Sequence, residues 1–434
     1  MKIQRLELSN FRGIRELEFD FDESMNVIVG VNGSGKSSIL DCAAIMLSRL
    51  IAKVRATHGI GRMFSDLDIA NNTDFTGCTI NVVVDKSPIR WTVVKTQSRY
   101  KALALGMETN QKELVGAVEV IHASLAANAE ASVPLAVYYP VARAVLDIPL
   151  RIRTKHGFDQ LSAYDEALSG ASSDFRLFFE WFRNREDLEN EERLRSGHHR
   201  LFDDDDVVRP KLTNGFDWQL TAVRQAIEAF LPGVKGLRIQ RSPLRMVLEK
   251  GDQLLSVNQL SDGEKCLMAL VGDLARRLSI ANPGLEKPRE GVAIVLIDEI
   301  DLHLHPAWQR SIIPNLRNAF PNCQFILTTH SPQVLSHVPS NQIAILKSVE
   351  GNVTLNRTDD AFGRDSNRIL EDIMDVDSRP PEFKQELAKL FKAIDDGKLE
   401  QARKLAKRIE SEIGADPELT KAGVLIRRKE ILKP

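Results

Sequence analysis

The sequence has few cysteines, little net charge and no long apolar run, and each absence excludes a class of protein. Its four cysteines lie far apart and form no CxxC pair, which argues against a disulfide framework or a zinc site. The formal net charge is -2 over 434 residues, so no global basic field indicates nucleic acid, although a local groove could still be basic. No apolar run is long enough to span a bilayer, and no secretory signal opens the chain. We therefore expect a cytoplasmic protein without a membrane partner.

The pattern of apolar residues divides the chain into four predicted regions. Residues 1–150 alternate short strands and helices, as do residues 234–375, which is typical of an α/β fold. Between them, residues 151–233 are predicted to form a charged helical insertion. The tail, 376–434, is predicted to be a pair of helices broken at residues 395–397. We expect this tail to serve as a docking element for a partner.

A glycine-rich turn follows the apolar strand 25–29. Residues 30–37 read GVNGSGKS and fit the phosphate-loop pattern G-x-x-x-x-G-K-[ST] at every required position. Glycines let backbone N–H groups face phosphate oxygens, and the helix that follows presents its N-terminus to the same anion. Lys36 is then placed to bridge the β- and γ-phosphates of ATP, and Ser37 to offer a hydroxyl group to Mg²⁺. The ATP-binding residues predicted in this loop are Asn32, Gly33, Ser34, Gly35, Lys36, Ser37 and Ser38.

A second apolar strand, 292–297, ends in the acid pair Asp298 and Glu299. An unbroken apolar run is what a parallel strand covered on both faces needs, and open α/β sheets bind ligands at the carboxyl ends of such strands. Asp298 is predicted to hold Mg²⁺ through its water shell, opposite Ser37. Glu299 is predicted to polarise the attacking water as a general base. Strands also end in surface acids without any such role, but the phosphate loop favours a site.

Two further motifs accompany these. His330 follows the strand 325–329 and is predicted to contact the γ-phosphate, although a histidine at a strand end commonly has only a structural role. Ser261 and Glu264 form an S-x-x-E capping box ahead of an amphipathic helix. The structural interpretation is that these residues only cap the helix. The functional one is that Gly263 leaves the first turn open, so that the helix start binds a second phosphate. The predicted signature residues are Ser261, Asp262, Gly263 and Glu264.

The order of these motifs resembles the ABC-type ATPase superfamily: phosphate loop, LSxGE signature, acid pair and switch histidine. The resemblance implies that the signature contacts ATP held by another subunit, so that catalysis needs a head-to-tail dimer. It also implies an ABC-type P-loop ATPase head with a mostly parallel sheet core, an antiparallel β subdomain, a helical insertion and a helical C-terminal tail. The opening LSNFRG at 8–13 is similar to SMC and RecF heads, whose arginine lies near the nucleotide, so Arg12 is expected there.

Three stretches, 135–147, 297–306 and 363–368, further resemble bacterial defence ATPases, in particular the ATPase subunit of the Septu anti-phage system. That subunit works beside an HNH nuclease. The resemblance therefore implies ATP and Mg²⁺ as cofactors, a homodimer or higher homo-oligomer, and an HNH-type nuclease as partner. The alternative is a repair-type ATPase that binds DNA itself, for which the basic clusters 151–155 and 193–200 are the candidate surfaces.

One position departs from the superfamily pattern. A metal-contacting glutamine usually follows the strand that corresponds to 135–140, and Val141 and Ala142 stand there instead. Arg143 is a candidate to replace it by approaching the γ-phosphate, and a surface ion pair explains Arg143 equally well. The departure bears on the rate of hydrolysis and not on nucleotide binding.

Two other patterns superficially resemble metal sites. His303 and His305 follow the acid pair, and we expect them to contact the partner subunit and not a metal. Residues 350–351 and 375–377 resemble the Glu-Gly turn and Asp-x-Asp motif of a Toprim nuclease. The first, however, separates two strand-like runs as a hairpin turn would, and the second follows a helix. The sequence therefore predicts no nuclease in this chain.

Overall fold

The computed structural model of the chain contains two compact units, residues 1–364 and 365–434. The residues it describes are 1–97, 108–141, 158–169, 175–196, 212–213, 216–349, 352–357, 363, 366–374, 377 and 379–431. Within these ranges no helix combines the length and the apolar character needed to cross a membrane. Several sequence predictions lie outside the described residues. They concern Arg143, the basic cluster 151–155, and the motif residues 350–351 and 375–376.

The strands and helices are numbered here in chain order. The strands are β1 (Lys2–Phe11), β2 (Ile14–Asp20), β3 (Met25–Gly30), β4 (Phe75–Val84), β5 (Ser87–Thr96), β6 (Leu135–Tyr139), β7 (Leu212–Thr213), β8 (Phe216–Asp217), β9 (Val234–Arg241), β10 (Leu244–Lys250), β11 (Gln253–Ser256), β12 (Ala293–Ile297), β13 (Gln324–Thr328), β14 (Ile343–Val349) and β15 (Asn352–Arg357). The helices are α1 (Lys36–Arg55), α2 (Lys112–Ala127), α3 (Phe175–Ser196), α4 (Trp218–Phe230), α5 (Asp262–Ala281), α6 (Pro306–Ala319), α7 (Pro332–Leu335), α8 (Ser366–Asp372), α9 (Pro381–Asp395), α10 (Leu399–Ile413) and α11 (Pro417–Ile431).

The central sheet has the strand order β15-β14-β3-β13-β12-β6. The five strands from β14 to β6 run parallel, and β15 pairs antiparallel at one edge. Strands β12 and β13 are buried along their whole length and β3 nearly so, as strands covered on both faces must be. Because β3, β13 and β12 are neighbours, the loops that follow them meet at one edge of the sheet.

Three antiparallel sheets also lie in the described part of the first unit. Their strand orders are β2-β1-β4-β5, β11-β10-β9 and the short pair β7-β8. The turn between β4 and β5 consists of Asp85 and Lys86, both with positive φ, which is the two-residue geometry that matches the twist of a hairpin. With the central sheet, these elements confirm the predicted α/β class with an antiparallel subdomain.

Helix α3, within the predicted insertion, has a buried face. Its fully buried aromatic residues are Phe178, Phe179, Trp181 and Phe182. A Cβ on Gly272 of α5 would lie 2.8 Å from the Phe178 ring, so the two helices approach closely here. Glu186 and Glu189 are also buried and pair with Arg224 of α4. This face of α3 is therefore part of the core of the first unit, although the sequence of the insertion is strongly charged.

The tail contains three helices, α9 to α11, and not the predicted two. The first break was predicted at residues 395–397, where Gly397 has a φ of 74°. The second comes at Gly414, with a φ of 78°, after which the Asp416 carboxylate accepts a hydrogen bond from the N–H of Glu418. Pro417 then begins α11, as proline can in the first helical turn. The tail has its own core, which includes Leu390, Ile394, Ala402, Ile409 and Ala422.

Candidate nucleotide-binding site

A cavity of about 460 Å³ lies at the carboxyl edge of the central sheet, where β3, β12 and β13 end. The residues that line it are Gly13, Asn32, Gly33, Gly35, Lys36, Ser37, Ser38, Glu299, His330 and Val353. The phosphate loop follows β3, Glu299 follows β12 and His330 follows β13. Three motifs that are far apart in sequence therefore meet around one cavity.

The backbone of the phosphate loop explains its glycines. Gly33 and Gly35 have φ angles of 81° and 98°, in the left-handed region where a side chain is costly. A Cβ on Gly30 would lie 2.5 Å from the carbonyl oxygen of Leu346 and 2.6 Å from Oγ of Ser34. Ser34 is fully buried, and its hydroxyl group has no hydrogen-bond partner among the described residues. The loop thus excludes side chains by lack of space at Gly30 and by backbone conformation at Gly33 and Gly35.

Lys36 is buried at the base of this loop. Its Nζ donates hydrogen bonds to the carbonyl oxygens of Gly30 at 2.8 Å and Val31 at 3.1 Å. Burial lowers the pKa of Lys36, and the nearby carboxylates of Asp298 and Glu299 act in the opposite direction. Among the described residues, the hydrogen bonds of this ammonium group go to its own loop, so it is available to a polyanion and these residues fit the phosphates of a nucleotide.

The acid pair is fixed by the neighbouring strand. Asp298 is 2% exposed, and its Oδ1 accepts a hydrogen bond from Oγ1 of Thr328 at 2.5 Å. The same hydroxyl group accepts a hydrogen bond from the N–H of Glu299 at 2.7 Å. Glu299 has a φ of 47°, an unusual value for a residue other than glycine and one that is found at functional sites. Glu299 lines the cavity, whereas Asp298 lies buried at the end of the strand.

The residues on either side of His330 are anchored to the loop that follows the acid pair and to α6. Thr329 donates its hydroxyl proton to Oδ1 of Asp301 at 2.5 Å, and the N–H of His330 donates to the same oxygen at 3.3 Å. Ser331 donates to Oε1 of Gln309 at 2.7 Å. Sequence reasoning did not find these partners. The sequence feature that could have indicated them is the pair Thr328 and Thr329 directly before the histidine.

The signature residues form the predicted capping box at the start of α5. The N–H and the hydroxyl group of Ser261 both donate to Oε2 of Glu264, at 2.9 and 2.8 Å. Burial tends to raise the pKa of Glu264, but hydrogen bonds from Lys250 and Ser261 outweigh it and hold that pKa below its ordinary value. Asp262 is exposed beside them. None of these residues lines the nucleotide cavity of the described chain.

Gly263 lies against the loop that follows the acid pair. A Cβ at this position would be 2.5 Å from the carbonyl oxygen of His303. His303 itself has a φ of 61°, and Nδ1 of His305 accepts a hydrogen bond from the N–H of Ala307 at the start of α6. Among the described residues no group of three or more His, Cys, Asp or Glu side chains is arranged to hold a metal ion. The two histidines shape the loop in this chain.

Arg12 lies beside the cavity and does not line it. Its Nε is 2.9 Å from Oδ1 of Asp68, and its Nη2 is 2.8 Å from Oδ2 of Asp41. Burial opposes the charged form of Arg12, but these two carboxylates outweigh it and raise its pKa. Its neighbour Gly13 does line the cavity. Val141, in the position of the missing glutamine, is exposed after β6.

Two family models match this chain, and together they cover the phosphate loop, the acid pair and His330. A family model described as "AAA domain" matches residues 5–231, which is more than half of the chain. A second, described as "AAA domain, putative AbiEii toxin, Type IV TA system", matches residues 140–336. The Septu protein PtuA of Bacillus mycoides (strain KBAB4) is 43% identical over 90 residues, which is 21% of this chain and 12% of that protein. The expected resemblance to Septu ATPases is confirmed over this stretch.

Two relatives are similar over nearly the whole chain. The Retron Ec83 probable ATPase of Escherichia coli is 32% identical over 96% of this chain and 85% of its own length. The Retron Vc95 probable ATPase of Vibrio cholerae serotype O1 biovar El Tor is 31% identical over 91% of this chain and 83% of its own length. The chain is an ATPase with an AAA domain and belongs to the family that these two retron ATPases represent.

Proposed function

We propose that this ATPase closes head-to-tail on a second copy of itself, with ATP between the two heads. This proposal rests on which motifs line the cavity. The phosphate loop, Glu299 and His330 line it, whereas the helix start at Ser261 does not. That helix start has an N-terminal dipole and a capping serine, which suit a phosphate supplied by another head. Each head then provides one half of two equivalent sites.

The residues around the cavity divide the work of hydrolysis. Lys36 neutralises the β- and γ-phosphates, and His330 contacts the γ-phosphate. Glu299 orients and polarises the attacking water. Mg²⁺ bound with ATP would be held by Ser37 and Asp298 and would offset the phosphate charge. Hydrolysis releases the γ-phosphate as inorganic phosphate. Both heads would bind this group, so the pair separates when it is lost.

The paired heads, in this proposal, control a separate HNH-type nuclease in defence against phage. The support is the similarity to Septu PtuA together with the Septu-like stretches of the sequence. The tail of three helices has its own hydrophobic core, which suits a docking element. Direct DNA binding has less support. In the basic cluster 193–200, Arg193 is the one arginine whose side chain is described, and it lies 4.8 Å from the ring centroid of Phe216.

Light scattering of Glu299→Gln with Mg-ATP tests this function. The variant should retain ATP without turning it over, so its mass should double, whereas Lys36→Ala should stay at its starting mass. With an HNH-type nuclease encoded beside this chain, co-purification should depend on the tail, and deletion of 379–431 should abolish it. An unchanged mass for Glu299→Gln despite bound ATP would refute head-to-tail pairing, and Ser261 would then be only a helix cap.

A further inference from the structure

A second cavity, of about 620 Å³, lies at the opposite edge of the central sheet. Residues 132–134 line it just before β6 begins, and residues 291–292 line it just before β12 begins. The nucleotide cavity lies at the other end of β12. That strand has five residues and spans about 16 Å, so the two cavities are separate. This amino-edge cavity shares no lining residue with the nucleotide site.

Exposed apolar side chains from three segments converge on the amino-edge cavity. Val120 of α2 is 68% exposed, Leu285 after α5 is 37% exposed, and Val292 before β12 is 39% exposed. Buried Ile89 and Val133 form the deeper part of the wall. Single exposed apolar residues are ordinary on a protein surface, but several around one concave site mark a place where a ligand can cover them.

A glycine in α2 keeps part of the wall open. Gly116 lines the cavity and lies in the interior of the helix, where glycine is unfavourable relative to alanine. A Cβ there would meet no atom within 4 Å, and the backbone does not have a positive φ. Neither close packing nor backbone conformation therefore requires glycine. Its effect is to leave space in the cavity that a side chain would fill.

The polar part of the lining is acidic. Asp85 and Glu290 are the charged side chains among the described lining residues, and Ser87 and Ser124 add hydroxyl groups. Met1 also lines the cavity. Burial lowers the pKa of its amino group, although Asp85 acts in the opposite direction. Glu290 is paired with Lys287 at 3.4 Å, so Asp85 is the carboxylate that disfavours an anionic ligand and attracts a cation or a neutral hydrogen-bond donor.

We propose that the amino-edge cavity binds a small molecule with an apolar body of one or two rings and a cationic or hydrogen-bond-donating end. The volume is within the range of about 300 to 1,000 Å³ that such ligand sites occupy. The apolar body would cover Val120, Leu285 and Val292, and the polar end would face Asp85 and Glu290. This site is independent of the ATP-dependent pairing proposed above.

Fluorescence titration of the full chain with dansylcadaverine tests the proposal, because this probe joins a naphthalene ring to a protonated amine. Dansylglycine carries the same ring with a carboxylate and is the charge control. Dansylcadaverine should bind saturably with one site per chain, and dansylglycine should bind about tenfold more weakly or not at all. Mg-ATP at saturation should not displace the probe, because the cavities are separate.

Gly116→Leu should fill the cavity and weaken dansylcadaverine binding about tenfold or more. Gly423→Leu is the matched control, because a Cβ at that helix glycine in the tail also meets no atom within 4 Å. Leu285→Lys puts a cation on the wall of the cavity without changing α2, and it should also weaken dansylcadaverine binding. It serves as the test if Gly116→Leu does not fold. The proposal is wrong if binding is not saturable, if ATP displaces the probe, or if folded Gly116→Leu and Leu285→Lys bind it as the wild type does.

Discussion

The hydroxyl group of Thr328 donates a hydrogen bond across 2.5 Å to the buried carboxylate of Asp298. It joins the ends of β13 and β12, the two strands that precede His330 and the acid pair. Because the same oxygen accepts from the N–H of Glu299, one threonine holds both acids. A shift of either strand would therefore move Glu299, the proposed general base, together with Asp298, the proposed metal-binding carboxylate.

Replacement of this threonine should impair hydrolysis while sparing nucleotide binding. Thr328→Val keeps the shape of the side chain but removes a hydrogen bond to a charged group, which is worth about 1.5 to 3 kcal/mol. We expect kcat for ATP hydrolysis to fall about tenfold to a hundredfold, with ATP affinity changed less than threefold. Thr328→Ser restores the hydroxyl group and should recover most of the activity. Equal activity of the Val and Ser variants would show that the hydrogen bond does not position the acids.

A methyl group at Gly263 should disturb the contact between the signature and the loop after the acid pair. The added Cβ of Gly263→Ala would lie 2.5 Å from the carbonyl oxygen of His303, so backbone has to move. We expect ATP-dependent pairing and hydrolysis to decrease at least tenfold, while a single head still binds ATP. Gly423→Ala adds the same methyl group to an open helix position and should leave the measured ATPase rate unchanged. Normal activity of Gly263→Ala would mean that this contact is dispensable.

A buried ionic cluster should make a large contribution to the stability of the first unit. Asp273 of α5 pairs with Arg276 and Arg277, each at 2.7 Å, and accepts a hydrogen bond from Tyr139 at 3.0 Å. Asp273→Asn leaves two buried guanidinium groups without their counter-charge. We expect the free energy of unfolding to decrease by about 3 kcal/mol or more, measured by urea denaturation. Glu249→Gln breaks an exposed ion pair and should cost less than about 1 kcal/mol.

The contribution of Asp273 to the free energy of unfolding should decrease as the pH falls. Burial tends to raise the pKa of Asp273, but Arg277 and Arg276 outweigh it and hold that pKa well below its ordinary value. A carboxylate with a lowered folded-state pKa stabilises fully above its unfolded pKa of about 3.9 and loses this contribution as the pH falls below it. The stability difference between the wild type and Asp273→Asn should therefore be constant above about pH 5 and shrink below about pH 4. A difference that grows on acidification would contradict this assignment.

The four thiols should differ in reactivity. Cys42, Cys78 and Cys323 are buried, whereas Cys266 is partly exposed. Thiolates are the reactive form, and burial raises the pKa of Cys42 and raises that of Cys323 to about 12. A thiol reagent such as DTNB should modify one cysteine rapidly in the folded protein and all four in guanidinium chloride. Cys266→Ser should remove the fast phase, and a fast phase that survives this substitution would show that a buried cysteine is accessible.

The sequence was sufficient where a function rests on a local pattern. The phosphate loop, the acid pair and the capping box each lie within a few residues, so their geometry follows from glycine conformation, strand burial and helix capping. Placing three of the motifs at one edge of the sheet followed from parallel-strand order. The contacts that orient them, such as Thr328 with Asp298, join strands about 30 residues apart and have no local signature.

Other features were missed because they depend on tertiary packing. The spacing of Cys42 and Cys78 along the chain does not indicate that their Sγ atoms lie 2.9 Å apart between α1 and β4. Helix α3 is rich in charged residues, but its composition does not show that the aromatic residues lie together on one buried face. Arg12 was expected near the nucleotide by resemblance, and its pairing with Asp41 and Asp68 could not be read from sequence.

The central claim is that each active site is shared by two chains, and mixing two inactive variants tests it most directly. Lys36→Ala disables the phosphate loop, and Ser261→Arg disables the signature, so each variant alone should hydrolyse little ATP. In a mixed pair both lesions occupy one site and the other site is intact. An equimolar mixture should therefore recover between about a quarter of wild-type activity, if the chains pair at random, and about half, if only mixed pairs form, since each mixed pair has one good site. A mixture no more active than its components would contradict a shared site.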